Sequence, residues 1–246
     1  MGWVDDMSEL PRLRANAAVR EFLSGREWSN QTPARRRIIE GFLRLATSRG
    51  FESVTMRTLG SEVGMKAPSI YSSFPKGKEE IVAEALRWFT DSFAHDLLSG
   101  AETATSPEEY WAALVQCHLT QQLERPEPGL WDLLVAADKV ARFLNDGVRV
   151  DVDRWVRLHE DMYIAAADEM GFELSDQTVQ VILTLLDGAR RWGGNGESLD
   201  ELSVRTVRLT RSILEGSDGS RGPLPLGVPS WHTAGLTDVD TVIRNS

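Results

Sequence analysis

The sequence predicts an all-α protein in which a small N-terminal helix-turn-helix domain, of the three-helix homeodomain-like kind, precedes a larger helical domain. Apolar residues recur at helical spacing through most of the 246 residues, and no segment alternates with period two for long enough to form a strand. Capping residues, glycines and prolines divide the chain into about nine segments of helical length. One stretch, residues 55–78, contains two short amphipathic segments joined by a tight turn, which is typical of a helix-turn-helix.

Four parts are predicted along the chain. Residues 1–31 form a partly helical N-terminal extension, residues 32–78 the helix-turn-helix domain, and residues 79–216 the larger helical domain. Residues 217–246 form a tail rich in Gly, Pro and Ser, a composition that is compatible with disorder. Because the tail also contains Trp231 and several aliphatic residues, we expect an extended strap packed along the body.

The N-terminal extension contains a segment of helical pattern between residues 10 and 28. Its arginines, Arg12, Arg14 and Arg20, allow a basic arm that enters a minor groove. A helix in solvent, or one packed on the domain, is the favoured alternative.

The first two helices of the helix-turn-helix domain follow from caps and apolar spacing. The first begins with Thr32 as N-cap and Pro33 in its first turn, presents an apolar stripe, and ends at Gly50. The second begins with Thr55 as N-cap. It ends at Gly64, because glycine takes the left-handed conformation without the strain that a Cβ brings.

A third short helix follows, with Pro68 in its first turn. Ile70 and Phe74 lie one turn apart and are expected to face the domain core. The outward residues are small or polar, and such a face suits the major groove of DNA. They are Lys66, Ala67, Ser69, Ser72 and Ser73, with Tyr71 at the edge.

The helical pattern continues beyond this domain. A fourth helix begins near Lys78 and has a broad apolar face. Later helices begin at the N-caps Ser106 and Ser175. Breaks are predicted at Pro126 and in the glycine-rich residues 193–196.

The net charge of −10 is divided unevenly along the chain. Residues 32–78 contain nine Lys or Arg and three Glu, a net charge of +6, whereas residues 79–246 carry −15. When a basic block is attached to an acidic body, only the basic end of the protein attracts phosphate. The alternative is a helix face that is merely solvated, and nucleic-acid binding is favoured over it.

The composition limits other possibilities. No apolar run approaches the roughly 18 residues needed to span a bilayer, and the first residues lack the basic and apolar regions of a signal peptide. The one cysteine, Cys117, has no partner for an internal disulfide, which fits a reducing compartment. We therefore expect a cytoplasmic protein without a membrane partner.

The motif in residues 55–78 resembles that of a known family. The pattern is Thr55-x-x-x-Leu59-Gly60-x-x-x-Gly64-x-Lys66-Ala67-Pro68-Ser69-Ile70-Tyr71-x-x-Phe74-x-x-x-Lys78. It is similar to the N-terminal domain of the tetracycline-repressor (TetR) family of bacterial regulators, over residues 32–90 by motif and beyond them only in the number and length of helices. The resemblance implies a homodimeric transcriptional repressor that binds a pseudo-palindromic operator on double-stranded DNA and is released by a small-molecule effector.

The resemblance also assigns roles on DNA, residue by residue. Thr55, Tyr71 and Lys78 are expected to bind phosphates, and Arg57 matches a position that contacts a base edge. The complete expected interface is Thr55, Arg57, Lys66, Ala67, Pro68, Ser69, Tyr71, Ser72, Ser73 and Lys78. Two positions depart from the commonest pattern of the family: Gly77 is an extra residue before Lys78, and Ser73 stands where a His is frequent.

For residues 79–216 the resemblance implies effector binding and dimerisation. Aromatic and polar residues of the middle helices are candidates for an effector pocket, although such a stripe is also the pattern of plain core: Trp111, His118, Trp131, Trp155, His159, Met162, Tyr163 and Trp192. Apolar residues of the last two helices are candidates for a four-helix dimer interface, although some of them must also face their own core: Val179, Ile182, Leu183, Leu186, Leu202, Val207, Ile213 and Leu214.

Two other classes of protein remain as alternatives. An enzyme is disfavoured, because His159-Glu160 begins a zinc-protease motif but Tyr163 stands where the second ligand belongs, and no nucleophile elbow is present. We therefore expect no catalytic residues, no cofactor and no metal. A non-catalytic interaction module of the same fold that has lost DNA binding is the second alternative, but Tyr71, Lys78 and the basic balance are retained.

Overall fold

The computed structural model describes residues 10–26, 30–193 and 196–217, and apart from turns and loops these residues are helical throughout. A short 3-10 turn covers Phe51–Ser53. The α-helices are α1 (Pro11–Leu23), α2 (Pro33–Arg49), α3 (Met56–Val63), α4 (Ala67–Ser73), α5 (Lys78–Ala101), α6 (Pro107–Glu124), α7 (Glu127–Ala141), α8 (Asp146–Glu169), α9 (Asp176–Asp187), α10 (Ala189–Trp192) and α11 (Leu199–Ser217).

The helix-turn-helix forms from the caps that the sequence predicts. Thr32 accepts the backbone N–H of Arg35 at the start of α2. Thr55 and Thr58 form a reciprocal capping box at the start of α3, and Gly64 ends that helix in the left-handed conformation with φ of 64°. The prediction of an all-α chain with this N-terminal domain is confirmed.

Helix α1 packs on the larger domain, mainly along α8 and also against α5. Its buried face includes Val19 and Phe22. The Asn16 side chain accepts a 2.7 Å hydrogen bond from the buried hydroxyl of Tyr110. Two of its arginines pair with that domain, Arg12 with Glu169 at 3.3 Å and Arg20 with Glu102 at 2.6 Å. The extension is therefore part of the helical body, and these two arginines are engaged there.

Two apolar cores meet along α5. One contains α2 to α4, the first half of α5 and residues of α7 and α8. The other contains α1, the second half of α5, and residues of α6, α8, α9 and α11. The core of the helix-turn-helix therefore continues past residue 78 into the larger domain, and α5 belongs to both.

Some helix ends differ from the predicted ones. The residues Asn145-Asp146-Gly147 predict the end of a helix, but α7 ends at Ala141 and Asn145 caps the start of α8. The predicted helix between Ser175 and Trp192 is divided at Gly188 into α9 and the single turn α10. The strap is expected in residues 217–246, of which only Ser217 is described, at the end of α11; the rest lies outside the described residues. Within the described residues, no helix combines the length and apolarity needed to cross a membrane.

Candidate functional site

Helix α4 presents the polar face that the sequence predicts. Ile70 and Phe74 are fully buried in the domain core, whereas Tyr71 is 46% exposed. The expected groove residues are exposed, and Ser73 is half-buried. Those exposed residues are Lys66, Ala67, Pro68, Ser69 and Ser72. A convex, polar helix face of this kind is what a major groove accepts.

Gly77, the extra residue, provides the surface on which Tyr71 packs. Gly77 precedes α5 with φ of 68°. A Cβ at this position would lie 3.2 Å from Cε1 of the Tyr71 ring. Glycine is required here because the backbone is left-handed and the ring is close. The insertion therefore fixes the position of Tyr71 at the edge of the exposed face.

Thr55 and Arg57 lie at the start of α3 and are both exposed. The Thr55 hydroxyl accepts the N–H of Thr58 at 3.1 Å. Arg57 makes no ion pair with any described residue. These positions agree with the expected roles, and the roles themselves stay predictions.

Lys78 is engaged within the domain. Its ammonium donates a 3.0 Å hydrogen bond to the backbone oxygen of Phe51 and lies 3.9 Å from the centroid of the Phe51 ring. Partial burial lowers the pKa of Lys78, and the nearby Glu52 carboxylate opposes this shift. Lys78 thus ties α5 to the 3-10 turn, and a phosphate would have to draw the ammonium away from Phe51.

Arg35 clamps the end of α4. Its guanidinium donates to the backbone oxygen of Ser73 and pairs with Glu80 at 3.2 Å. It also lies 4.0 Å from the centroid of the Phe74 ring. In the sequence, Arg35 is visible only as part of the basic block. Its partners Ser73 and Glu80 lie 38 and 45 residues away and leave no local signal.

The remaining charge of the domain is available to a nucleic acid. Three basic side chains have partners within the domain. They are Arg35 and Lys78, described above, and Arg44, which pairs with Glu62 at 3.1 Å. Apart from Lys78, which is held by Phe51, six basic side chains of residues 32–78 form no ion pair within the described parts of the chain. They are Arg36, Arg37, Arg49, Arg57, Lys66 and Lys76. An unpaired basic surface is the electrostatic footprint of phosphate binding.

Five of the eight candidate pocket residues form one buried aromatic cluster in the larger domain. The His159 ring stacks on Trp155 with centroids 5.4 Å apart and lies 5.2 Å from the His118 ring. Tyr163 contacts both His159 and Trp111 edge to face. Phe93 of α5 lies at the centre of the cluster.

Met162 is fully buried in the same core. Trp131 and Trp192 lie at its margin, where Trp131 contacts Phe89 and Trp192 donates to the backbone oxygen of Leu185.

Three polar atoms of this cluster are buried without a hydrogen-bond partner among the described residues. They are Nδ1 of His118, Nε2 of His159 and the hydroxyl of Tyr163. The other ring nitrogen of His118 lies 2.9 Å from Asp187. Burial, and then the neighbouring His118, hold the pKa of His159 well below its usual value. These unpartnered polar atoms face apolar surroundings, which costs stability.

Replacing Tyr163 with Phe is expected to raise the free energy of unfolding by about 1 kcal/mol, because the buried hydroxyl has no partner. Tyr110→Phe is the matched control. It removes a hydroxyl that donates to Asn16 at 2.7 Å, and should lower the free energy by about 1–2 kcal/mol. Denaturant titration measures both. Equal destabilisation by the two changes would show that the Tyr163 hydroxyl is bonded.

Asp132 is expected to give the stability a distinct pH dependence. Burial, and then the Asp187 carboxylate, raise the pKa of Asp132 from 3.8 to about 6, although His118 opposes this. Ionisation of Asp132 therefore disfavours the folded state, and its cost appears as the pH rises from about 4 to above 6.

Asp132→Asn should consequently raise the free energy of unfolding at pH 7.5 by less than about 1 kcal/mol, because Asp132 is exposed and water screens its charge. The gain should shrink as the pH falls through 6 towards 4. Asp153→Asn on α8 is the control and should show no such trend. A gain that is constant with pH would contradict the assignment.

The candidate dimer residues divide between core and surface. Five are buried against their own chain, which leaves no surface for a partner: Val179, Ile182, Leu186, Leu202 and Leu214. Leu183, Val207 and Ile213 are half-buried. The exposed apolar residues of the same helices are Val181, Val204 and Leu209. Helical spacing predicts both helices, but it does not show which apolar residues face the core. Each helix carries apolar residues on its buried side and on its exposed side.

Three cavities among the described residues lie away from the aromatic cluster. One, of about 720 Å³, lies between α5, α8 and the residues that follow α1. A second, of about 450 Å³, lies between α1 and the end of α8. A third, very small one lies beside Trp131. The role of the cluster in effector binding stays a prediction.

A basic helix-turn-helix on an all-helical body is an architecture that DNA-binding proteins use. The sequence profile described as bacterial regulatory proteins of the tetR family matches residues 38–85, from α2 into α5. The predicted resemblance is confirmed: this domain matches the family, and the chain shares the fold of solved tetR-family proteins. No curated protein matches the sequence.

Solved structures share this fold at low sequence identity. A regulatory protein of the tetR family from Rhodococcus RHA1 is 16% identical with a TM-score of 0.62, over 74% of this chain and 97% of that chain. A transcriptional regulator from Saccharomonospora viridis, solved in complex with choline, is 24% identical with a TM-score of 0.59, over 75% and 96%. The superantigen pfit is 20% identical with a TM-score of 0.60, over 79% and 98%. At these identities the likeness concerns the fold alone.

Proposed function

We propose that this protein is a non-catalytic transcriptional repressor that binds a pseudo-palindromic operator as a homodimer and is released by a small molecule. The observation that carries the proposal is the exposed polar face of α4 on a domain with six unpaired basic side chains. Such a regulator acts where the chromosome lies, in the cytoplasm of a bacterium.

DNA binding is supported by the geometry of the helix-turn-helix. Ile70 and Phe74 anchor α4, so that Ser69 and Ser72 face outward together. Phosphate contacts from the basic side chains would fix the register, and contacts from α4 and Arg57 would read the bases. A protein-interaction module that had lost DNA binding would not require these unpaired basic side chains.

Fluorescence anisotropy of the full chain with labelled DNA from upstream of its own gene tests this proposal. We expect saturable binding at low ionic strength, with affinity that falls steeply as salt is added. An unrelated duplex of the same length, used as competitor, should displace the protein far less well. Equal competition, or no binding to either duplex, would favour the interaction-module alternative.

Dimerisation is supported by exposed apolar residues on the last long helices. Val181 on α9 is 57% exposed, and Val204 and Leu209 on α11 are 53% and 40% exposed. A single module of this size makes few DNA contacts, so a two-fold pair is expected on a specific site. Paired α9 and α11 helices would bury these residues in a four-helix interface.

The double substitution Val181→Lys and Val204→Lys should convert the dimer to a monomer, because each lysine brings charge into an apolar interface. Sedimentation velocity measures the change, and circular dichroism should show an unchanged helix content. Val140→Lys is the control, since Val140 is 87% exposed on α7. A monomeric wild-type protein, or a dimer unaffected by the double change, would contradict the proposed interface.

Release by a small molecule is supported by the unpartnered polar atoms of His118, His159 and Tyr163. Groups that cost stability when the protein is empty are candidates for ligand contacts, because a ligand can satisfy them. Phe93 of α5 touches both histidines, and α5 also carries part of the helix-turn-helix core. A ligand that displaced Phe93 would therefore act on the DNA-binding domain through α5. One neighbour of the same fold was solved with choline, which is a small molecule of the kind required.

A further inference from the structure

The cavity between α5, α8 and the residues that follow α1 is separate from the aromatic cluster, and half of its lining residues are charged. We call it the charged cavity. Its volume of about 720 Å³ falls within the range of small-molecule sites, about 300–1,000 Å³. Its wall includes four carboxylates, two guanidinium groups and the Trp88 indole; the carboxylates are Glu84, Asp91, Asp96 and Asp151.

Carboxylates outnumber guanidinium groups in this wall, even though each carboxylate has a partner. Arg26 bridges Asp91 at 2.9 Å and Asp151 at 3.2 Å. Arg87 bridges Asp151 at 3.1 Å and Glu84 at 2.9 Å. The two arginines of the wall therefore pair with three of its carboxylates. The fourth, Asp96, pairs with Arg125, which lies outside the wall.

The Asp91 carboxylate is incompletely compensated for its burial. Burial is the main cause that raises the pKa of Asp91, Arg26 lowers it through its charge and its hydrogen bond, and Asp151 and His95 make smaller contributions of opposite sign. Because the net pKa shift is upward, a further positive charge near Asp91 would stabilise its ionised form.

The charged cavity is connected to α4 by a continuous series of polar contacts. Arg87 shares Glu84 with Arg35, whose nearest nitrogen lies 3.9 Å from that carboxylate. Arg35 in turn donates to the backbone oxygen of Ser73, the last residue of α4. Gln31 also donates to Glu84, at 2.9 Å. A change in the partners of Glu84 therefore reaches the exposed helix through Arg35.

We propose that the charged cavity binds an organic cation, and that the cation weakens DNA binding by competing with Arg26 and Arg87 for the carboxylates that lead to Arg35. The second half rests on the proposed function. Trp88 provides an aromatic surface of the kind that attracts ammonium groups.

Arg26 defines a second feature of the ligand. Its Nη2 atom is buried without a partner among the described residues. Since guanidinium groups only donate hydrogen bonds, a ligand oxygen beside the ammonium would satisfy it. The expected class is therefore a cationic amine that carries a hydroxyl or carbonyl oxygen.

Calorimetric titration of the full chain with 2-amino-1-phenylethanol tests the site without DNA. The neutral control is 1-phenyl-1,2-ethanediol, which replaces only the ammonium by a hydroxyl. We expect saturable binding of the amine and at least about tenfold weaker binding of the diol, since the charge provides the attraction. Absence of saturable binding, or equal binding of both compounds, would overturn the proposal.

Variants locate the binding. Asp151→Asn should weaken the amine at least about tenfold, whereas Asp153→Asn, the same change two residues away on the exposed side of α8, should alter it less than about twofold. Asp96→Asn is a second variant in which we expect a loss of amine binding. The fold should be spared, because asparagine keeps an oxygen that accepts the 2.7 Å hydrogen bond from Gln121 and the broken ion pair with Arg125 is 41% exposed. Equal losses in Asp153→Asn and in these variants would show non-specific attraction to an acidic protein.

The coupling to DNA is measured separately. Once calorimetry has shown binding, a saturating amount of the amine should lower the DNA affinity of the wild type by several-fold or more, and should have less effect on Asp151→Asn. Binding of the amine without any change in DNA affinity would overturn the coupling and keep the site. Failure of the protein to bind DNA at all would refute the proposed function and leave the calorimetric result standing.

Discussion

Ser69→Glu is expected to lower the affinity of the protein for its DNA site by about 100-fold or more, because it places a carboxylate in the groove between phosphates. Ser69 is exposed in the middle of α4 and its side chain donates no hydrogen bond among the described contacts. The free energy of unfolding should therefore change by less than about 0.5 kcal/mol. Anisotropy and denaturant titration measure the two quantities.

Ser99→Glu provides the matched control, since Ser99 is an exposed residue near the far end of α5. It adds the same charge to the protein away from the helix-turn-helix, and should lower DNA affinity less than about threefold. Similar losses for both substitutions would mean that net charge alone determines binding. In that case α4 would not be the helix that enters the groove.

Arg35→Met is expected to lower the free energy of unfolding by about 2–3 kcal/mol. The substitution keeps much of the side-chain volume but leaves Glu80 and the Ser73 oxygen without their partner. Breaking a fully buried pair costs about 3–5 kcal/mol. The Arg35 side chain is 22% exposed, so solvent recovers part of that cost. DNA affinity should fall as well, because the end of α4 loses its clamp.

Arg44→Met tests whether this effect is specific. Arg44 pairs with Glu62 at a similar distance, 3.1 Å, but its side chain is 56% exposed. Removing an exposed pair should cost less than about 1 kcal/mol. If Arg35→Met were as mild as Arg44→Met, then α4 would be held by its apolar anchors alone, and the proposed route from the charged cavity to α4 would lose its last step.

Local signals were sufficient to predict the helix-turn-helix. Thr55, Gly64 and Pro68 act on the backbone within a few residues of themselves, and each does so in the structure as expected. The alternation of Ile70 and Phe74 with polar residues likewise determines which face of α4 is buried. These features depend on the chain nearby and not on the rest of the fold.

Features that depend on distant partners were not predictable. The pattern of α1 shows that one face is buried, but not that this face packs on α8. Arg35 has the same local sequence character as Arg36, although only Arg35 has Glu80 and Ser73 within reach. The role of Gly77 depends on the ring of Tyr71, which approaches it only in the folded domain.

The same limit applies to the dimer and to the cavities. Val179 and Val181 are two residues apart on α9, yet one is 1% and the other 57% exposed. Composition alone does not distinguish them. The charged cavity combines residues from α5, α8 and the segment after α1, and no single stretch of sequence contains enough of them to suggest a site.

Nuclease footprinting of the full chain on DNA from upstream of its own gene shows whether α4 reads an operator. We expect two protected half-sites related by two-fold symmetry, with centres about 10 base pairs or a multiple of this apart, since each half-site receives one α4 of a dimer. Protection should disappear with Ser69→Glu. A lack of protection at low ionic strength, or protection that persists in Ser69→Glu, would show that α4 of a dimer does not bind this DNA.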